Sequence, residues 1–401
     1  MKLHSAYAYS PLKYGILNVY PSLSKNETTE IAILGAGITG ALVAYHLCKV
    51  GFNVIMVDKR HVAQGSTAAS TALLQYELDL PLFKLVKLVG ERRAIRSYEL
   101  CVEAIYKLAD ISKQIRQDSE FKFRSSFQFA SFKKDVSNLR RELNIRKQHN
   151  ISAVNWLEPD EIVSKFGFYA PAGILSKEGA EVNAYLLAHS LLAASINKGL
   201  KIYDHTEVIK INHHKNSVDL LLQNGSKIAT RKLIICCGYE SQRYIPKRVE
   251  LQKSTYAIVS EPFAKQNFWY KNSLIWETAM PYLYLRTTSD NRILVGGKDD
   301  EFYNPEKRDE RIPFKTKRLE QAFKKLFPQI PFKTDFAWAG TFCETKDSLP
   351  YIGSIPQRPN TLFALGFGGN GITFSLIAAE MIRDLLLDKK SDDLSIFSFS
   401  R

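Results

Sequence analysis

Three glycines and one acid are the residues in this chain best spaced for chemistry. Gly35, Gly37 and Gly40 stand in Gly35-Ala36-Gly37-Ile38-Thr39-Gly40, directly after the apolar run Ile31-Ala32-Ile33-Leu34. A helix-like apolar stretch follows, then Val54-Ile55-Met56-Val57 ending on Asp58. The order is strand, turn, helix, strand. In such a unit Gly35 permits the tight turn, Gly37 lets the backbone approach a pyrophosphate, and Gly40 lets the helix pack on the strand. The pyrophosphate rests on N–H groups at the positive end of the helix. Asp58 lies about 20 residues on, where a ribose-binding carboxylate belongs. Both flanking strands and the terminal acid are present, so the pattern predicts a dinucleotide touched by Gly35, Gly37, Ile38, Thr39, Gly40, Asp58 and Lys59, and leaves open which dinucleotide.

The elements that position these residues need a large protein. At 401 residues the chain exceeds one typical core and forms two domains or one composite. Its 45% hydrophobic and 24% charged content excludes large-scale disorder. The net charge of +14 is spread in pairs such as Arg92-Arg93 and Lys324-Lys325, which read as solvated faces rather than a nucleic-acid tract. Cys48, Cys101, Cys236, Cys237 and Cys343 form no CxxC pair, as expected of reduced thiols in a cytoplasmic protein. His213-His214 reads as a solvated hairpin tip, and no metal site is expected. No signal-peptide core and no run of ~18 apolar residues is visible, so the expectation is a soluble intracellular protein whose residues 1–28 form an irregular surface arm.

Past Asp58, Gly65-Ser66-Thr67-Ala68-Ala69-Ser70-Thr71-Ala72-Leu73 is small and hydroxylated. It either passes close to a planar ligand or starts a helix capped by Ser66. Residues 80–115 and 132–150 are helical in pattern, and residues 183–198 form a helix capped by Asn183. Strands follow around residues 201–211, 218–222 and 227–236, the last a buried run ending at Cys237-Gly238. A β-rich, aromatic region covers residues 251–297, and a helix at residues 315–327 closes it. Its aromatic residues either fill a sheet face or line a pocket. Glycine then returns: Gly366-Phe367-Gly368-Gly369-Asn370-Gly371-Ile372-Thr373 follows the strand Leu362-Phe363-Ala364-Leu365 and opens a second helix.

Taken in this order, the first glycine turn, Asp58, Gly65-Ser66-Thr67, Cys237-Gly238, Trp338-Ala339-Gly340 with Thr345-Lys346-Asp347-Ser348-Leu349-Pro350, and the second glycine turn resemble the D-amino-acid oxidase (DAO) family of FAD-dependent oxidoreductases, which includes glycine and sarcosine oxidases. The similarity covers residues 30–387. It implies an α/β fold, an FAD-binding Rossmann-like domain of the GR2 type with an inserted antiparallel β-sheet substrate domain. The FAD-binding part is expected in residues 29–80, 150–245 and 335–401, and the substrate or cap part in residues 81–149 and 246–334. FAD would lie extended, with pyrophosphate on residues 35–40, ribose on Asp58 and adenine near Val208. The isoalloxazine would rest between Ser66, Thr67, Ala72 and Leu73 on one side and Phe367, Gly368, Gly369, Asn370, Gly371, Ile372 and Thr373 on the other, near Gly238. A helix N-terminus at Gly371 suits a ring that becomes negative when reduced.

The chemistry so implied is hydride transfer from the carbon bearing an amine or amino-acid nitrogen to flavin N5, with hydrolysis of the imine and reoxidation usually by O2 giving H2O2, or by another electron acceptor, so an oxidase or a dehydrogenase. The amine enters unprotonated, so no obligatory protein base is required. The candidates for the catalytic end are Tyr282, Lys298 and Gln75. Amino-acid oxidases of the family clamp the substrate carboxylate with Arg shortly after Trp-Ala-Gly or just before Asn-Gly. Here those positions hold Thr341-Phe342 and Gly369, which weakens the case for a glycine-like substrate; Tyr282, Arg286 or Lys298 remain to hold a carboxylate. Lys298 either offers positive charge to oxygen or belongs to an exposed turn of mixed charge. Cys343 stands near a place where some relatives attach flavin, at a spacing from Asp347 that does not fit, so FAD is expected to be noncovalent. A flavin module acting on a modified tRNA nucleoside and a nonenzymatic FAD-binding protein are the alternatives.

Overall fold

The computed structural model describes every residue except 6, 116, 117, 265 and 266. Its first eight-stranded sheet is built around Glu27–Leu34, with Val54–Val57 and then Lys201–Tyr203 parallel on one side and Lys227–Ile235 parallel on the other. Ile31 and Ile33 face a core shared with helices Ile38–Lys49, Ala184–Ile196 and Gly371–Leu386, while Ala32 and Leu34 face a second core. A strand covered on both sides must be apolar at every position, which is why this run does not alternate.

Lys227–Ile235 is long enough for two neighbours on its far side. Its first half pairs antiparallel with Val218–Leu222, and its second half pairs parallel with Thr361–Leu365. Leu34 is level with Ile235, and Ile235 with Phe363. The two glycine turns, one after Leu34 and one after Leu365, therefore leave the same end of one sheet, the end at which open α/β sheets bind ligands.

The second eight-stranded sheet runs in the order Thr334–Glu344, Leu251–Ser260, Ile293–Asp300, Leu283–Thr287, Leu274–Glu277, Ser126–Phe129, Gly173–Ser176, Val154–Leu157. All its pairs are antiparallel but one, between Leu274–Glu277 and Ser126–Phe129. Helix Ile312–Leu326 buries Leu319 and Phe323 in the core that this sheet forms. Val154–Leu157 and Gly173–Ser176 belong to this sheet although residues 150–245 were expected with the nucleotide half; Gly173 packs under Phe127, where a Cβ would lie 2.3 Å from the ring. Helices Leu82–Val89 and Glu91–Gln114, expected with the cap, instead bury Leu82, Leu85, Tyr98, Cys101 and Ile105 in the core of the nucleotide sheet's helices.

The N-terminal arm is also more ordered than its sequence suggests. Leu3 and Ser5 extend the second sheet at its edge, with Thr341 N–H donating to Leu3 O (2.8 Å) and Ser5 N–H to Ala339 O (3.0 Å). Tyr9–Tyr14 is a short helix, and Leu23 is buried under the first sheet. The edge strand's unpaired backbone groups are what the arm satisfies. Among the described residues no helix is long and apolar enough to cross a membrane.

Candidate active site

Close approach dictates the first turn. Gly35 has φ +108°, and a Cβ there would lie 2.5 Å from Cys236 O; one on Gly40 would lie 1.9 Å from Gly35 O. Ile38 N–H, at the first position of helix Ile38–Lys49, donates to Thr67 Oγ1 at 2.9 Å. Asp58 accepts from Ala36 N–H (2.8 Å) and Arg60 N–H (2.9 Å), and burial raises its pKa above the usual carboxylate range. Beyond it, Lys59 and Arg60 donate to the two oxygens of Glu240 at 2.8 and 2.9 Å. Burial opposes ionisation of Glu240, yet hydrogen bonds from Arg60 and Lys59 pull its pKa down to about 2.

Side chains tie the second turn to the first. Thr39 Oγ1 and Ser375 Oγ lie 2.7 Å apart, joining the two helices near their N-termini. Asn370 Nδ2 donates to Gln75 O (2.9 Å) and Glu77 O (3.0 Å), and Gly369 N–H donates to Asp79 Oδ2 (3.0 Å). Thr373 Oγ1 turns back to Asn370 O within the first helical turn. A Cβ on Gly369 would come within 2.8 Å of the Asp79 carboxylate, so any side chain here would displace that carboxylate.

One cavity of about 580 Å³ lies between the two turns and is lined by residues of both. One end is lined by Asp58, Lys59, Arg60, Val208, Glu240 and Arg243; the other by Gln75, Asp79, Trp276, Tyr282, Tyr284 and Asp299. Tyr282 OH donates to Asp79 Oδ1 at 3.4 Å, and burial holds its phenol protonated, well above its usual range. Burial also raises Asp79, against a lowering hydrogen bond from Gly369. Asp299 is raised to about 7, by burial and further by the charge of Asp79.

The sequence pattern described as "FAD dependent oxidoreductase" (DAO) matches residues 30–385. The chain belongs to the DAO family. It is 24% identical to glycine oxidase of Bacillus subtilis (strain 168), across 93% of this chain and 97% of that protein. It is also 24% identical to gamma-glutamylputrescine oxidoreductase of Escherichia coli (strain K12), across 95% and 88%. The crystal structure of glycine oxidase from Geobacillus kaustophilus superposes with a TM-score of 0.81 at 20% identity, covering 94% of this chain and 99% of that one. The protein is thus an FAD-dependent oxidoreductase related to amine and amino-acid oxidoreductases.

The cavity of this DAO-family protein fits FAD on its own terms. Gly37 has no side chain to fill the space before Thr67, Ser66 Oγ is buried and without a partner on the lining, and two helix N-termini open into one space. Of the residues expected from sequence to meet the cofactor, Gly35, Gly37, Ile38, Thr39, Asp58, Lys59, Ser66, Thr67, Ala72, Leu73, Val208, Gly238, Phe367, Gly368, Gly369, Asn370, Gly371 and Ile372 all line the cavity. Gly40 and Thr373 sit behind it, packed on Gly35 and Asn370. Cys343 is also off the lining, its thiol raised by burial and by Glu250.

At the catalytic end Gln75 and Tyr282 reach the cavity and Lys298 does not. Lys298 has φ +53° in a bulge of strand Ile293–Asp300, where pairing to Leu251–Ser260 shifts register. The extra residue turns Asp299 inward and sends Lys298 Nζ to Glu277 Oε1 at 2.7 Å. Arg286, the other candidate for a carboxylate, is off the lining and donates to Thr71 O and Thr287 O. Sequence reasoning missed Asp79 as a cavity residue; its one signal was the absence of any side chain at Gly369. It also missed a cluster of His61, Asp204 and His205, whose ligand atoms lie within 4.8 Å of one another, a spacing able to hold a metal ion. His61 Nδ1 is 3.0 Å from Asp204 Oδ2, and the residues come from two loops far apart in the chain.

Proposed function

We propose that this protein oxidises a carbon–nitrogen bond of a small amine or amino compound, with dioxygen as the final acceptor and hydrogen peroxide as its product. Bound FAD supplies the hydride acceptor, at flavin N5. The observation that carries this reading is the cavity shared by two distant glycine turns, with Asp58 and Val208 at one end and Asp79 and Tyr282 at the other. In it, Asp58 would take the ribose, Gly37 and the positive end of helix Ile38–Lys49 would face the pyrophosphate, and residues 66–73 and 368–371 would hold the redox ring. Tyr282 and Tyr284 narrow the catalytic end, so the reacting C–H is held in one orientation and bulk water is kept from it. The amine reacts as the free base, its ammonium proton having gone to solvent or to a cavity carboxylate before hydride leaves, and the imine leaves for hydrolysis by water. FAD is noncovalent in this reading, supported by the placement of Cys343 behind the lining. Five free cysteines support a reducing, cytoplasmic setting.

The test is anaerobic mixing of the yellow holoprotein with a panel of amines, N-methyl amino acids and D-amino acids. Bleaching of the flavin by a member of the panel, and return of colour with peroxide on admission of air, is the expected result. Recolouring only with an artificial acceptor makes it a dehydrogenase. A flavin that dithionite bleaches and no amine does would overturn the reading.

A further inference from the structure

We propose that the redox end of the cavity is an ammonium site, so that the substrate is an amine of net positive charge, held by Asp79 and Asp299 and bearing no carboxylate. The inference rests on the amine-oxidising function and names its substrate class. It begins with an unbalanced set of charges. Asp79 and Asp299 both line the cavity, and Asp299 Oδ1 is a buried atom with no partner. The partners Asp79 does have are neutral, the Gly369 N–H and the Tyr282 hydroxyl.

Among the described residues, the nearby cations are committed elsewhere. Lys298 pairs with Glu277 (2.7 Å), Lys253 with Glu301 and Glu344 (2.9 and 2.7 Å), and Lys315 with Asp300 (2.8 Å). None of these three lysines lines the cavity. Among the described residues, the cations that do line it are Lys59, Arg60 and Arg243 around Glu240, at the far end, and Lys84, which is exposed. Gly369 cannot carry a cationic side chain while Asp79 occupies its space.

Two half-buried carboxylates facing one space repel each other and any third carboxylate. Burial raises the pKa of both acids, the direction expected of carboxyl groups that have no cation beside them among the described residues. An ammonium group restores that charge balance and donates hydrogen bonds to both. The walls suit it too, since Trp276, Tyr282 and Tyr284 present ring faces or edges to the same space.

The experiment compares 1,4-diaminobutane, 4-aminobutan-1-ol and 4-aminobutanoate, which share one amine and one chain length and differ in charge. Binding to the FAD-loaded protein is read from the perturbation of the flavin spectrum in air-free solution at pH 8, and flavin bleaching is recorded separately. Affinity is expected to fall from the diamine to the amino alcohol to the amino acid, with the diamine at least about tenfold tighter than the zwitterion. Asp79→Asn and, in a second variant, Asp299→Asn should each remove most of that preference while FAD content stays that of the parent. Tightest binding of 4-aminobutanoate, or a preference for the diamine that survives in both variants, overturns the proposal. Preferential diamine binding with no bleaching by any amine upholds the ammonium site and sinks the redox reading; bleaching led by the amino acid does the reverse.

Discussion

Asp299 illustrates how one carboxyl group couples fold and site. Its pKa of about 7 in the folded chain stands against 3.8 for the free side chain, through burial first, with the charges of Asp79 and Glu344 adding to it and Thr255 and Lys315 opposing. Tyr282 and Tyr284 also feel its charge. A raised carboxyl pKa favours the folded state only while the group is protonated. That contribution is full below about pH 4, is eroded as pH rises through about 7, and is gone above it. Asp299→Asn should therefore leave stability nearly unchanged near pH 4 and raise it at pH 8, by on the order of 2–4 kcal/mol, as read from urea unfolding at the two pH values. An equal effect at both would mean that the carboxyl group titrates normally. Gly40 gives a steric counterpart: Gly40→Ala sets a methyl 1.9 Å from a backbone oxygen. The strain should reach about 1–3 kcal/mol and weaken FAD retention about tenfold, measured by flavin release on dilution. Gly40 and Asp58 were legible in the sequence because their partners lie within one strand–turn–helix unit. Asp79 was not, since its partner Gly369 lies 290 residues away and only the fold brings them together.

At the scale of elements, small polar contacts hold the site more than the glycine turns themselves do. Asn370 is the clearest, its amide nitrogen spanning Gln75 O and Glu77 O. Asn370→Ala leaves two carbonyls short of a donor and should cost about 1–3 kcal/mol, seen as a lower melting temperature of the holoprotein and faster FAD loss. An unaffected FAD dissociation rate would mean that the turn is held by its backbone alone. The segment that Asn370 clamps is backed by a buried network in which Arg146 Nε donates to Glu142 Oε1 at 2.7 Å and Ser176 Oγ to Glu77 Oε1 at 2.8 Å. The N-terminal arm depends on a similar buried cation. Arg308 Nη1 donates to Lys2 O, Leu3 O and Thr341 Oγ1. Arg308→Ala should free the arm, with amide exchange at Ser5 and Thr341 rising well before the rest of the sheet. Helices with strong apolar periodicity and the Asn183 cap, which accepts from Tyr185 and Leu186 N–H, were legible because their signals are local. The arm and the strands Val154–Leu157 and Gly173–Ser176 were not, because what orders them is an edge or a neighbour supplied by remote residues.

The whole molecule is built on two eight-stranded sheets, with a small three-stranded one beside them, and their shared cavity is closed by segments from the front, middle and end of the chain. Residues 35–40 and 58–79 come first in sequence, then Tyr282, just before strand Leu283–Thr287, and Asp299 from the second sheet, and residues 367–372 last. A ligand long enough to touch all of them acts as a cross-link. It binds the folded state and not the unfolded chain, so free FAD at about 100 times its dissociation constant should stabilise by about 2.7 kcal/mol. The gain should not be uniform. The helices behind the first sheet are already buried, Ile38–Lys49 across nearly its whole length, and have little to gain locally. The turn Gly368–Asn370 and the segment Gln75–Asp79, held to each other by three hydrogen bonds, have more. Amide exchange of apoprotein against holoprotein should therefore show protection concentrated at residues 66–79 and 368–372. Protection confined to residues 35–60 would mean that the cofactor is gripped by its adenosine half alone, and the second glycine turn would then serve the fold rather than the chemistry.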